Sequence, residues 1–179
     1  LTGLPESFRM LGNGFFLHMP MQFWIFVFFA ILFSFVLRRM RYGRNLRVIG
    51  FNPESAEYAG IHVAQTHLIN YTVSGLMAAL AALIFVSRIS AAKSNAGIGY
   101  ETDAIMAVVL GGTSISGGYG SIEGTIVGIM LVGVIRNGLT LARVSSEITT
   151  ILLGMLLLLT IIFSENAKAW IKKFKKEKN

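Results

Sequence analysis

The sequence predicts an all-α fold, a polytopic bundle of transmembrane helices with one short cytoplasmic helix and one glycine-interrupted helical hairpin. Hydrophobic residues make up 54% of the 179 residues and charged residues only 14%, whereas a soluble domain carries about a quarter charged residues. The charges are clustered, so that long apolar runs lie between them. Glycine is dense across residues 108–128, where Glu123 is the single charge. A helix that breaks inside a membrane is tolerated where its freed backbone lines a cavity or a path.

Residues 1–179 are assigned to a single membrane domain. The chain contains no cysteine, which excludes disulfides and thiolate metal sites. It begins with Leu1 and has no signal-peptide pattern, and we expect it to be a fragment of a longer protein.

Three segments are predicted to span the membrane. Residues 21–37 hold no charge, Pro20 suits the first helical turn, and Trp24 suits a membrane interface. A buried helix of a soluble protein is disfavoured, because no face of this segment is polar. The second span, residues 66–87, carries small residues at intervals of four, which favours close helix packing. The third span is residues 148–163.

Two basic clusters predict the orientation of these spans. Five arginines fall within ten residues after the first span, in a predicted cytoplasmic loop of residues 38–65, and six lysines lie in a predicted cytoplasmic tail of residues 164–179. An excess of Arg and Lys marks the cytoplasmic side. Anionic headgroups are a simpler partner for the arginines than nucleic acid, because the sequence offers no soluble domain to present a nucleic-acid patch. The residues before Met21 and the polar loop of residues 88–102 are then predicted to lie outside.

Residues 103–139 then begin and end outside, so they either cross the membrane an even number of times or dip in and return. Residues 103–112 are too short to span, and residues 125–139 are marginal. A pair of broken helices or a re-entrant hairpin fits this stretch. Two complete but short helices with a tight cytoplasmic turn are the alternative, and the sequence leaves both open.

The glycine-rich part of this stretch has two interpretations. It supplies candidates for lining a translocation path: Gly111, Gly112, Thr113, Ser114, Gly117, Gly118 and Gly120. The pair Gly124 and Gly128 would instead allow close helix packing, and the sequence favours neither role over the other. Arg136 is expected to snorkel near the outer end. Asp103 is not assigned to a paired acidic site.

The cytoplasmic loop is predicted to hold one short helix. Asn52 is a good N-cap, Pro53 suits the first helical position, Glu54 favours the positive end of a helix, and Gly60 is a natural stop. A helix of under two turns is unstable alone in water. It must therefore pack against its own membrane domain or dock into a partner protein.

Two long motifs resemble the bacterial ABC-importer permeases for monosaccharides such as ribose, xylose and galactose. Residues 43–63 look like the family's cytoplasmic loop, and Glu54-Ser-Ala-xxx-Gly60 is similar to the Glu-Ala-Ala-xxx-Gly pattern of its coupling loop, with Ser55 where Ala is usual. Residues 99–125, which include Gly-Tyr-Glu-Thr-Asp-Ala and Leu-Gly-Gly-Thr-Ser, resemble its most recognisable stretch. The resemblance runs from about residue 43 to residue 163 and corresponds to the C-terminal half of a typical member.

The resemblance implies a permease subunit of a sugar importer in the bacterial inner membrane, with several membrane passes. It implies three protein partners, namely ATP-binding-cassette ATPase subunits, a periplasmic or surface sugar-binding protein and a second permease chain, identical or not. ATPase coupling is assigned by resemblance to the short helix, through Asn52, Glu54, Ser55, Ala56 and Gly60.

The same resemblance implies that this chain is not an enzyme and carries no cofactor or metal, since ATP and Mg bind the partner ATPase. The sequence agrees with that division, because it has no Gly-x-x-x-x-Gly-Lys-[Ser/Thr] phosphate loop. A stand-alone channel or secondary transporter is the alternative function. A coupled carrier of this kind usually needs an ionisable residue deep in the membrane.

Overall fold

The computed structural model describes residues 12–16, 18–91 and 97–176, with side chains described as far as residue 162. Two short strands and seven helices follow one another within these residues: β1 Phe15–Phe16, β2 Met19–Pro20, α1 Met21–Arg39, α2 Arg41–Phe51, α3 Pro53–Tyr58, α4 Val63–Ile89, α5 Tyr100–Leu110, α6 Ile122–Leu141 and α7 Ser146–Lys176. The strands form an antiparallel hairpin in which Phe15 pairs with Pro20. The prediction of an all-α fold is confirmed.

The chain divides into two compact units, and its assignment to a single membrane domain stays a prediction. The first ends at Ile98 and contains α1–α4, and the second begins at Gly99 and contains α5–α7. The division falls in the polar sequence that follows α4. Each unit packs mainly helices that are neighbours along the chain.

Within the described residues, α1, α4 and α6 are the helices long and apolar enough to cross a membrane, with 19, 27 and 20 residues. About 20 residues are needed for that length. The sequence analysis judged residues 125–139 marginal, but α6 begins earlier, at Ile122, because the Ser121 side chain accepts a hydrogen bond from the Gly124 amide (3.2 Å). The apolar part of α7 that is described, Ser146–Ile162, is shorter.

α7 continues past the predicted third span, and its backbone is helical as far as Lys176. The lysine side chains of the predicted tail, residues 164–179, lie outside the described residues. The cytoplasmic placement of this tail stays a prediction.

The predicted cytoplasmic loop, residues 38–65, contains a second helix that the sequence analysis did not identify. α2 follows α1 after Met40, whose extended backbone turns the chain. Its inner face consists of apolar residues spaced three or four apart, which is the spacing of an amphipathic helix: Tyr42, Leu46 and Ile49. Arginines dominate the composition of this segment, and the sequence analysis therefore did not predict the helix from its apolar spacing.

The core of the second unit lies between α5, α6 and α7. Met106 and Ala107 of α5 are buried with Val132 of α6 and Leu153 of α7. This cluster fixes α5 against α6 and so positions the hairpin that carries the glycine-rich stretch.

Candidate functional site

The start of α3 is fixed by Asn52. Its side-chain oxygen accepts a hydrogen bond from the Ser55 amide (3.1 Å), and its carbonyl accepts the first helical bond from Ala56 (3.1 Å). Pro53 occupies the first helical position, where its lack of an N–H costs nothing. Asn52 also ends α2, so one residue terminates one helix and begins the next.

The end of α3 is closed by a Schellman motif. The Ile61 amide donates to the Ala56 carbonyl (3.0 Å), and the Gly60 amide donates to the Glu57 carbonyl (2.9 Å). Gly60 has a φ of +79°, a conformation that glycine adopts without the strain of a Cβ. A helix of only six residues therefore has hydrogen-bonded caps at both ends.

The predicted coupling residues divide by the face of α3 on which they lie. Ala56 has no exposed surface, because α3 packs against α2 and α4 on that side. Glu54 and Ser55 are exposed, and Tyr58 is 92% exposed. Ala56 therefore holds the helix in place, whereas Glu54 and Ser55 are available to another protein. The sequence analysis missed Tyr58, although a tyrosine inside a polar hexapeptide was a visible signal.

We expect Asn52→Ala to destabilise α3 by about 1 kcal/mol, the usual cost of losing an N-cap. The Ser55 amide loses its acceptor, so its hydrogen exchange should accelerate about fivefold if α3 opens locally. Asn45→Ala in α2 is the matched control, since Asn45 lies inside a helix and caps nothing. Equal exchange at Ser55 in the two variants would contradict the capping role.

α5 and α6 form a hairpin whose backbones touch near the glycine-rich turn. A Cβ built on Gly111 would overlap the Gly124 carbonyl, and one built on Gly124 would overlap the Gly111 carbonyl. One turn further on, a Cβ on Gly128 would overlap the Ala107 carbonyl. Gly111, Gly124 and Gly128 therefore permit the close packing of the two helices, which is one of the two roles considered from the sequence.

The turn between these helices uses glycine for its backbone conformation. Gly112, Gly117 and Gly118 have φ values of +86°, +87° and +80°. Gly112 closes α5 in a Schellman motif, with the Thr113 amide donating to the Val108 carbonyl (3.1 Å). Gly120 faces Thr113, whose Cγ2 would lie 3.0 Å from an added Cβ. Each glycine candidate for the path thus has a local structural role, and path lining stays a prediction.

Thr113 and Ser114 lie beside an open groove of about 350 Å³. Its other walls are apolar and come from α5 and the turn: Ala104, Ile105, Val108, Val109 and Ile115. Thr113 and Ser114 contribute only apolar surface to this groove, so a role of their hydroxyl groups in lining a path stays a prediction.

The two helices of the hairpin differ in length. α5 has 11 residues, which at about 1.5 Å per residue reaches roughly half the hydrocarbon thickness of a bilayer. α6 has 20 residues and reaches the full thickness. The hairpin therefore pairs one half-length helix with one full-length helix. This arrangement lies between the two alternatives from the sequence, a pair of broken or re-entrant helices and two complete short helices.

An ion pair joins the other end of the hairpin. The Arg136 guanidinium donates to Asp103 Oδ1 at 2.6 Å, and the two side chains are 41% and 21% exposed. The sequence analysis gave Asp103 no partner and expected Arg136 to snorkel, because 33 residues separate them. Only the packing of α5 against α6 brings them together.

A cavity of about 340 Å³ lies beside this ion pair. Besides Asp103 and Arg136, residues of both helices line it: Ala104, Ala107, Val108, Thr125, Ile129, Val132 and Gly133. Among the described residues, no group of three His, Asp or Glu side chains is arranged to hold a metal ion.

The chain matches a known protein family over most of its length. Residues 2–161 match the family described as the branched-chain amino acid transport system / permease component. The chain belongs to this permease family. Its members are transport components, and together with the apolar helices the match indicates a membrane protein. The resemblance to sugar-importer permeases is confirmed by the relatives that follow.

Three relatives have names that specify a solute. The chain is 38% identical to the ribose import permease protein of Bacillus subtilis over 171 residues, which cover 94% of this chain and 53% of the relative. It is 37% identical to the L-arabinose transport system permease protein of Escherichia coli, over 88% of this chain and 48% of the relative. It is also 37% identical to the autoinducer 2 import system permease protein of Yersinia enterocolitica, over 90% of this chain and 49% of the relative.

The permease chain spans about half the length of the curated relatives it matches. No solved structure matches it significantly.

Proposed function

We propose that this chain is part of the transmembrane permease subunit of an ATP-binding-cassette importer that moves a ribose-like monosaccharide across the bacterial inner membrane. The family match, the similarity to ribose and L-arabinose permeases and the apolar helices α1, α4 and α6 support the proposal. The structural observation that carries it is α3, a helix closed at both ends that presents Glu54 outward while Ala56 is buried.

The partners follow from this division of labour. An ATP-binding-cassette ATPase pair binds ATP and Mg and docks on α3, a periplasmic or surface sugar-binding protein delivers the solute, and a second permease chain completes the path. This chain then catalyses no reaction and needs no cofactor of its own.

The mechanism is mechanical coupling. When the ATPase pair closes, it moves α3 through contacts with Glu54 and Ser55, and the buried Ala56 passes that motion to α2 and α4. Because α3 is capped at both ends, it moves as a rigid body rather than unwinding. α4 is the long apolar helix that follows it, so motion of α3 tilts a membrane span and changes which side the path faces.

We expect Glu54→Arg to uncouple ATP hydrolysis from sugar uptake. The substitution reverses the charge of an exposed side chain in the first turn of α3, so it disturbs docking without affecting the buried Ala56. The measurement is sugar uptake and ATP hydrolysis by the assembled importer in proteoliposomes. Uptake should fall at least tenfold, a loss of about 1.4 kcal/mol in coupling, while hydrolysis continues.

Glu101→Gln is the control in the other unit, because it removes an exposed carboxylate from α5 while its amide oxygen can still accept the hydrogen bond from the Gly99 amide (3.2 Å). It should leave both activities near the parent value. Uptake at the parent rate in Glu54→Arg would remove the coupling assignment. Sugar conduction by the chain without any ATPase would remove the importer proposal altogether.

A further inference from the structure

The outward face of α2 has a composition that coupling does not explain. Its three arginines, Arg41, Arg44 and Arg47, are spaced three apart and are all exposed. Val48 and Phe51 are exposed as well, at 41% and 58% of their surface. Residues spaced three or four apart share one face of a helix, so cationic and apolar side chains are mixed on this one face. That mixture is typical of helices that lie in a membrane interface.

The structure holds α2 against the end of a membrane-length helix. Met40 is the single residue between α1 and α2. A Cβ on Gly43 would overlap the backbone of Leu37 near the end of α1, so the two helices are in direct contact there. Arg47 donates a hydrogen bond to the Leu37 carbonyl (3.3 Å). α2 therefore begins at the depth where α1 leaves the membrane.

A second contact fixes the rotation of α2 about its axis. The Tyr42 hydroxyl donates to Asn70 Oδ1 of α4 at 2.6 Å, and Gly43 and Ile49 are buried on the same side. Burial raises the pKa of the Tyr42 hydroxyl above its ordinary value. With this side turned inward, Arg41 and Arg44 must face outward.

Charge separates the partner of α2 from the partner of α3. α2 carries three positive charges and no negative charge, whereas the next helix, α3, carries Glu54 and Glu57 and no positive charge. A positively charged face favours a negatively charged surface, and a negatively charged face favours a positively charged one. The surface of constant negative charge next to the cytoplasmic end of a span is the anionic phospholipid of that leaflet.

We propose that α2 is an interfacial helix that binds anionic phospholipid headgroups through Arg41, Arg44 and Arg47, with Val48 and Phe51 set into the boundary of the acyl chains. The proposal does not depend on the function of the chain as an importer, since it concerns lipid binding alone. A soluble protein partner for the same face is an outcome that the experiment separates.

The test uses the absence of cysteine in this chain. Val48→Cys places one bimane label on the exposed face of α2, and the labelled chain is inserted into phosphatidylcholine vesicles. The vesicles also contain a minor fraction of a quencher lipid that carries a nitroxide on its headgroup. The quencher is either anionic phosphatidylglycerol or neutral phosphatidylcholine. We expect the anionic quencher to be enriched at the label on the order of tenfold over the neutral one. High salt should remove most of this preference, because it screens exposed charges.

Arg41→Gln/Arg44→Gln is the decisive variant. Its ratio of quenching by the anionic lipid to quenching by the neutral lipid should fall close to one. Arg88→Gln/Arg143→Gln is the matched control, because it removes the same charge from two exposed arginines outside α2, and its preference should stay at the parent value. Quenching by the neutral lipid reports whether each variant is inserted, which keeps a failure of folding apart from a loss of binding.

Three outcomes would overturn the proposal. The first is equal quenching by both lipids in the parent chain, and the second is full preference in Arg41→Gln/Arg44→Gln. The third is a label that neither lipid quenches until an ATPase partner is added, which would assign this face to a protein.

Discussion

Gly128→Ala is expected to force α5 and α6 apart and to unfold the second unit at lower denaturant concentration. The new methyl group would overlap the Ala107 carbonyl and lie 3.0 Å from the Gly111 amide nitrogen. That carbonyl already accepts a hydrogen bond from Gly111 (2.9 Å), so it cannot move away without breaking the last turn of α5. Overpacking of a tight contact costs about 1–3 kcal/mol, and a clash with backbone places this variant at or above the upper end.

Two measurements check this expectation. One is the unfolding midpoint of the purified chain in detergent. The other is the distance between spin labels at Ile105→Cys and Met130→Cys, two exposed positions on the facing helices. We expect the midpoint to fall and the label distance to lengthen or broaden.

Gly133→Ala is the matched control, because it makes the same change on the same helix at a position with open space within 4 Å. Alanine has a better helix propensity than glycine by about 0.8–1.0 kcal/mol, so this variant should be neutral or slightly more stable. If Gly128→Ala behaves like Gly133→Ala, the close contact with Ala107 does not exist in the folded chain.

The ion pair between Asp103 and Arg136 gives the second large effect. Asp103→Asn and Arg136→Gln should each destabilise the hairpin by about 1–3 kcal/mol, because each leaves a partly buried charge without its partner. The pair is a contact of opposite charge between α5 and α6. It lies at the opposite end of the hairpin from the glycine contacts, so its loss should open that end first.

A double-mutant cycle separates the pair from its surroundings. The combined variant Asp103→Asn/Arg136→Gln should be less destabilised than the sum of the two single variants. Glu101→Gln with Arg143→Gln is the control cycle. These two exposed side chains form no ion pair with each other in the part of the chain that the structure describes, so their effects should be additive. Additive effects for Asp103 and Arg136 would show that the 2.6 Å contact contributes no coupling.

The sequence contains enough local information to identify the fold class and both ends of α3. Asn52, Pro53 and Gly60 act through bonds within a few residues, so each leaves a mark in the sequence. Apolar length likewise predicts α1 and α4, because crossing a bilayer requires about 20 apolar residues whatever their partners are. Membership of the permease family rests on motifs that can be read directly.

Tertiary contacts account for what the sequence did not reveal. The pairing of Asp103 with Arg136 depends on how α5 packs against α6, and the two residues lie 33 positions apart in the sequence. Gly111 and Gly124 look alike in sequence whether they line a path or pack helices, and only the position of the facing backbone assigns them to packing. α2 was not predicted although its apolar residues have helical spacing, because its arginines dominate its composition. What the sequence does not contain is the helix's neighbours, Leu37 and Asn70.

The unequal lengths of α5 and α6 also constrain how the hairpin enters the membrane during synthesis. With 11 residues and Asp103 in its first turn, α5 is too short and too acidic to be retained in the bilayer when it first leaves the ribosome. Arg136 follows 33 residues later, a delay of about 2–7 s at typical rates of translation. Gly124 and Gly128 are made before Arg136, so the counter-charge of Asp103 is the last of these contacts to become available. We therefore expect the short helix to enter the bilayer together with α6 rather than as a span of its own.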